Sequence, residues 1–353
     1  MRNASPLDLL EATRLTQDGR LVEATAAIQR LLRQQPMREP VDDAAPGRII
    51  DAEFSRVEEV RAQARQPDGQ PGQFVSASFG NHAGTRPYKL YIPTRYAGEP
   101  LPLIVMLHGC TQSPDDFAAG TRMNALAEER GCFVLYPAQT RTANRSRCWN
   151  WFKRGDQRRD KGEPAILAGM TRECMSRYAI DPRRVYVAGL SAGGAMAAVL
   201  AAAYPDLYAA VGVHSGLAVG SAHDVQSAFA AMRGTSATRS TVQSAAGSIP
   251  AIVFHGDRDT TVHPRNGEQV IGEWVDPAAA SSVEQGAVPG GHAYTRTIHR
   301  DSTGRVVLEH WLVHGSGHAW SGGSPSGSYT DPKGPDAARA MLRFFDQTEP
   351  ATS

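Results

Sequence analysis

The sequence predicts an α/β fold: a mostly parallel central sheet covered by helices on both faces. Three observations carry that expectation. From Leu101 onward, short apolar runs alternate with helix-like segments, the rhythm of successive βα units. The runs LIVMLHG, Cys132–Tyr136 and Val185–Leu190 are continuously apolar, as strands are when both sheet faces are covered. The last of these passes into an Ala-rich segment through Gly189-Leu190-Ser191-Ala192-Gly193, a strand–turn–helix junction of very few residues.

Composition sets the outer bounds. The chain has 353 residues, 41% hydrophobic and 21% charged, with a formal net charge of +1. That fits one large globular domain with an appendage. It gives no global electrostatic reason for a nucleic-acid or membrane partner. No apolar run approaches the roughly 20 residues of a membrane-spanning helix. The opening stretch MRNASPLDLLEATRLTQDGR carries acids and arginines where a secretory leader has an uninterrupted apolar core. Of the four cysteines, none forms a C-x-x-C pair, so no metal site is expected, and no cofactor. Cys132 and Cys174 fall in apolar segments and read as buried thiols. Cys110 and Cys148 fall in loops and are the better pair for a disulfide.

The elements follow in order. Residues 7–34 read as two amphipathic helices separated by Asp18-Gly19, so residues 1–35 are expected to form a helical hairpin. A lone hairpin cannot bury its own apolar face. It must dock on the main domain, on a twin subunit as a homo-oligomer, or on another partner. Residues 36–73 read mostly as linker. The catalytic-size domain spans 74–347, opening with an antiparallel edge hairpin, FVSASF and RPYKLYIP. Helices are expected at Phe117–Arg130, Glu163–Tyr178, Asn266–Trp274 and about Asp336–Phe345. Further strands are expected at Ala209–Val213, Ala251–His255, Tyr294–His299 and Val306–Leu312. Residues 216–248, rich in Ala, Ser and Gly, read as an insertion or lid.

The junction around Ser191 has the G-x-S-x-G form of a nucleophile elbow. Two glycines leave room for the strand–helix crossing. The serine is thrust out beside the first unsatisfied N–H groups of the helix. A nucleophilic serine needs a base and an acid that orients the base, and on such a sheet they follow in the order serine, acid, histidine. Six histidines follow the strand at 251–255. Of these, His318 sits in the glycine-flanked loop GSGHAW directly after the last strand, where a base belongs; His314 is the second choice. The loop GDRDTTV offers Asp257 and Asp259. Asp259 lies further out and is taken as the orienting acid, with Asp257 capping the turn or pairing with Arg258. Two backbone donors are needed for an oxyanion: Ala192 N–H and, from the loop after LIVMLHG, Cys110 N–H, with Thr111 in reserve. His108 is read as holding that loop. Trp320, Trp149 and Trp151 are candidates to line a substrate groove, with core packing as the alternative for the last two.

Taken together, LHGCTQ, CWNWF, GLSAGGAM, HGDRDTTV and GSGHAWSGG resemble the poly(3-hydroxybutyrate) depolymerase family of esterases, over about residues 74–347. The resemblance implies an α/β-hydrolase fold and hydrolysis of short-chain polyhydroxyalkanoate esters or oligomers. It implies Ser191, Asp259 and His318 as triad and Cys110 in the oxyanion loop. It also suggests an extracellular location, against which the missing leader sets a cytoplasmic one. A feruloyl or acetylxylan esterase would use the same residues. A reading of another class is a nucleic-acid-binding module, from the eight Lys/Arg of Arg141–Lys161 with their interleaved aromatics.

Overall fold

The computed structural model describes residues 72–235, 249–276 and 279–348. The expected hairpin at 1–35, the linker up to 71 and the 236–248 part of the expected lid lie outside the described residues.

Two strands open the domain, β1 (Gln73–Asn81) and β2 (Gly84–Ile92). They pair antiparallel from Gln73↔Ile92 to Asn81↔Gly84. Then come β3 (Leu101–Leu107), β4 (Phe133–Pro137), β5 (Ile180–Leu190), β6 (Ala210–His214) and β7 (Ala251–Gly256). The large sheet is completed by β8 (Ala280–Ala287), β9 (Ala293–Arg300) and β10 (Val306–Val313). All ten lie in one sheet of order β1-β2-β4-β3-β5-β6-β7-β10-β9-β8. The middle six, from β4 to β10, are parallel. The flanks are antiparallel.

Strand β3 shows why the apolar runs are continuous. Leu103, Val105 and Leu107 face a core shared with the helices Gly162–Arg177 and Ala192–Ala203, while Ile104 and Met106 face a second core with Phe117, Met123 and the closing helix Ala337–Gln347. Both faces are covered, so both sets of alternating positions must be apolar.

Three expectations are corrected. Phe117–Arg130 is not one helix but two, Pro114–Thr121 and Met123–Arg130, broken where Arg122 takes a left-handed φ of 56°. The break lets Arg122 donate to Gly322 O at 2.9 Å. Strand β8 was not expected. Its sequence, ASSVEQGA, is almost wholly exposed, so pairing to β9 rather than burial makes it a strand, and burial is what periodicity detects. Finally, the first part of the expected lid belongs to the core: Leu217, Ala218, Val219 and Ala222 are buried in it. Only the helix Val225–Met232, with Val225 and Phe229 exposed, stands outward.

Candidate active site

The site is assembled at the C-terminal ends of β3, β5, β6, β7 and β10. Strand β5 ends at Leu190 and the buried Ala-rich helix begins at Ala192. Ser191 between them has φ 58° and ψ −119°, a conformation a non-glycine residue holds only when its surroundings force it. The forcing is visible. Ser191 N–H donates to His214 O at 2.9 Å, and Ala195 N–H donates to Ser191 O at 2.9 Å. A Cβ on Gly193 would lie 2.0 Å from Leu107 O, and one on Gly189 would lie 2.4 Å from the Gly193 carbonyl. Both glycines of the motif are therefore demanded by close approach of backbones.

The loop after β3 runs alongside. A Cβ on Gly109 would sit 3.6 Å from Ser191 Cβ. Three residues fix this loop. His108 Nδ1 donates to Gly109 O at 2.7 Å while its Nε2 accepts from Gln139 N–H at 3.1 Å. Burial pushes His108 down to about 4, so the neutral tautomer that makes both bonds is the stable one. Gln112 Oε1 accepts from Gly109 N–H at 2.8 Å. Trp149 Nε1 donates to His108 O at 3.1 Å. Cys110 is joined to Cys148 by a disulfide, and Cys132 and Cys174 are buried free thiols, each pushed up to about 12 by burial. Behind the loop, Asn150 donates twice to the buried Glu163 carboxyl, from N and Nδ2, both at 2.7 Å.

Thr111 N–H is spent on Ser146 O at 2.7 Å, so the reserve candidate is ruled out. Among the described residues, Cys110 N–H and Ala192 N–H donate to no protein acceptor.

Acid and base come from the loops after β7 and β10, beyond β6 in the sheet. Asp259, after β7, has a side chain with no exposure and accepts from His318 Nδ1 at 2.7 Å. Its other oxygen accepts from Thr261 N–H at 2.9 Å and Val262 N–H at 2.8 Å. Burial alone would raise this carboxyl. The hydrogen bonds and charges of His255 and His318 outweigh burial and hold it well below the usual carboxylate range. The Asp259–His318 link is thus closed. Among the described residues His318 Nε2 and Ser191 Oγ are each without a hydrogen-bond partner, so the His318–Ser191 link is not made in this state; such contacts often tighten only with substrate bound.

Of the two roles expected for Asp257, pairing with Arg258 is not made, and it caps backbone of the next loop instead of its own turn. It accepts from His314 Nδ1 at 3.0 Å and from Gly315 N–H at 2.7 Å. It ties down the loop that leads to His318, and His314 is occupied on its other nitrogen by Thr295 Oγ1 at 2.9 Å.

One residue that sequence reasoning missed connects the two halves. His214 ends β6. Its carbonyl takes Ser191 N–H, and its Nε2 accepts from Ser321 N–H at 3.0 Å. Its ring stacks between Phe254 and Trp320, at centroid distances of 5.7 and 5.0 Å. Burial pushes it down to about 3, which keeps Nε2 an acceptor. The signal in the sequence was only a histidine closing an apolar strand.

Trp149 and Trp151 take the core-packing alternative, and the groove role expected of Trp320 is corrected. Trp149 and Trp320 have 0% and 1% exposure, so neither offers surface to a substrate. Trp149 supports the β3 loop and Trp320 packs on His214 and Phe117. Trp151 keeps a small exposed edge.

Fold and geometry define an α/β-hydrolase. A solved acetyl xylan esterase from Aspergillus awamori superposes with a TM-score of 0.60 at 23% identity, covering 79% of this chain and 100% of that one. The family model for esterase PHB depolymerase matches residues 86–280, and the chain belongs to that family. It is 30% identical to the poly(3-hydroxyalkanoate) depolymerase C of Paucimonas lemoignei over 69% of this chain, and spans 60% of that protein's length. It is 27% identical to a feruloyl esterase B of Thermothelomyces thermophilus, over 68% of this chain and 86% of that protein.

Proposed function

We propose that this chain is a serine carboxylic ester hydrolase that cleaves short-chain polyhydroxyalkanoate esters or oligomers, those of 3-hydroxybutyrate above all. The observation that carries the reading is the Asp259–His318 pair at 2.7 Å, held on loops beside a strained elbow serine with two free N–H groups. In the reaction Ser191 Oγ attacks the ester carbonyl carbon as its proton passes to His318 Nε2. The oxyanion is received by Cys110 N–H and Ala192 N–H. His318 then gives the proton to the departing alcohol oxygen, leaving an acyl-serine that water hydrolyses by the same two proton transfers in reverse. Asp259 stays ionised, fixes the imidazole tautomer and stabilises the imidazolium. A second reading, a feruloyl or acetylxylan esterase, is favoured by the names of the relatives and of the superposed structure.

The test is a panel of p-nitrophenyl butyrate, 3-hydroxybutyrate oligomers, polymer film, and feruloyl and acetylxylan esters, run on wild type and Ser191→Ala. Ser191→Ala is expected to lose on the order of 10⁶ in kcat with its melting curve unchanged. Near wild-type turnover by the variant would remove Ser191 as nucleophile. The ranking of esters by kcat/KM decides between the two substrate classes.

A further inference from the structure

We infer that Tyr329 is a specificity-determining residue, forming the wall of the cleft against which an ester larger than its scissile bond must lie. This rests on the esterase reading above. Tyr329 is one of the few large apolar side chains left exposed, at 41%. It stands between the two loops that matter. Its carbonyl accepts from Trp320 N–H at 2.7 Å, two residues past His318. Its hydroxyl lies 3.3 Å from Thr111 Oγ1, one residue past Cys110. Thr111 has already committed its own hydrogen to Cys110 O at 2.6 Å, so Tyr329 is the donor of that pair. A residue whose backbone is bound to the segment just past His318, whose hydroxyl reaches the Cys110 loop and whose ring still faces solvent borders the opening between the two.

The way it is held separates it from an ordinary surface tyrosine. Tyr329 and Thr111 both have positive φ, 52° and 67°, sparsely populated backbone for residues with side chains. Such strain persists only where neighbours over-determine the backbone, and here they do. Ser328, the preceding residue, donates from N and Oγ to Asp116 at 2.9 and 2.6 Å, and its carbonyl accepts from Gln112 Nε2 at 3.0 Å. Gln112 is the residue that also holds Gly109 N–H. On the other side Thr330 pairs with Trp320 in the short ladder of β11 (Trp320–Ser321) and β12 (Thr330–Asp331). A Cβ on Gly327 would lie 2.4 Å from Asp116 O, so the segment lies flat on the helix that follows the Cys110 loop. The chain thus fixes an exposed aromatic ring rigidly, at a cost in backbone strain, beside the candidate oxyanion donor. A rigid, exposed aromatic is the group that contributes most to gripping an apolar ligand at little loss of side-chain freedom.

The test compares kcat/KM on p-nitrophenyl acetate with kcat/KM on the 3-hydroxybutyrate trimer and on methyl ferulate, for wild type, Tyr329→Ala and Tyr329→Phe. Tyr329→Ala is expected to lose about tenfold or more, chiefly in KM, on whichever larger ester the wild type cleaves. It should lose less than about threefold on the acetate. Tyr329→Phe, which keeps the ring and drops the hydroxyl, should stay within about threefold on all. Equal losses on small and large esters, or no loss on the large ones, would overturn the assignment. So would a wild type that cleaves the acetate but neither larger ester. Turnover that survives in Ser191→Ala strikes at the esterase reading instead, and the two failures are read from different variants.

Discussion

At the scale of single residues, the two aspartates of the GDRDTTV loop show how close neighbours are sorted by what donates to them. Asp259 is fully enclosed, receives two backbone N–H groups on one oxygen and His318 on the other. Asp257 is partly exposed and receives a loop N–H and His314. Asp259→Asn should lower kcat about 10⁴-fold, because an amide N–H facing Nδ1 favours the wrong imidazole tautomer. Asp257→Asn, whose Oδ1 can still take the Gly315 N–H, should cost less than about tenfold. Reversed losses in steady-state kinetics would exchange their roles. Loop position in the sequence already separates these aspartates, and the structure pairs Asp259 with His318 and Asp257 with His314. The role of His214 is not legible in the sequence, because its partners lie at Ser191 and Ser321, and nothing local marks a histidine whose two ends serve distant segments.

At the scale of elements, the β3 loop is the most heavily braced part of the site. The disulfide, Gln112, His108 and Trp149 each hold it from a different direction. Cys110 and Cys148 are 38 residues apart, a closure worth about 4 kcal/mol on a chain-entropy estimate. Cys148→Ala should therefore lower the melting temperature. It should also lower kcat more than it raises KM, since the freed residue is the proposed oxyanion donor. A variant that loses stability while keeping full kcat would detach the bridge from catalysis. The central strands, the elbow and the pairing of Cys110 with Cys148 could all be read from the sequence, because apolar runs, glycines and loop positions are local signals. The break at Arg122, strand β8 and the Ser328–Tyr329 segment could not. Arg122 turns to reach Gly322, β8 is defined by its neighbour, and Ser328 is held by residues more than two hundred positions away.

At the scale of the molecule, two buried histidines and one half-buried one are expected to make the fold itself sensitive to acid. Burial lowers His108 and His310 to about 4 and His214 to about 3, against about 6.5 in an unfolded chain. The folded state binds these protons less readily than the unfolded state. The stability they contribute is therefore complete above pH 6.5 and is lost as the pH falls towards 4 and below. Urea unfolding should show a loss of more than about 3 kcal/mol between pH 6.5 and 4, and His214→Gln should flatten that slope. A flat profile across this window would mean the three rings take up protons without strain.

The sheet order has a last consequence for endurance. The groups proposed to do the chemistry hang from β3, β5, β7 and β10, each flanked on both sides, whereas β1 and β8 border the sheet. Fraying begins at margins, so the outermost ribbons act as sacrificial hems. A molecule that sheds them is expected to keep its working centre stitched together, which hydrogen exchange slower at β3, β5, β7 and β10 than at β1 and β8 would show.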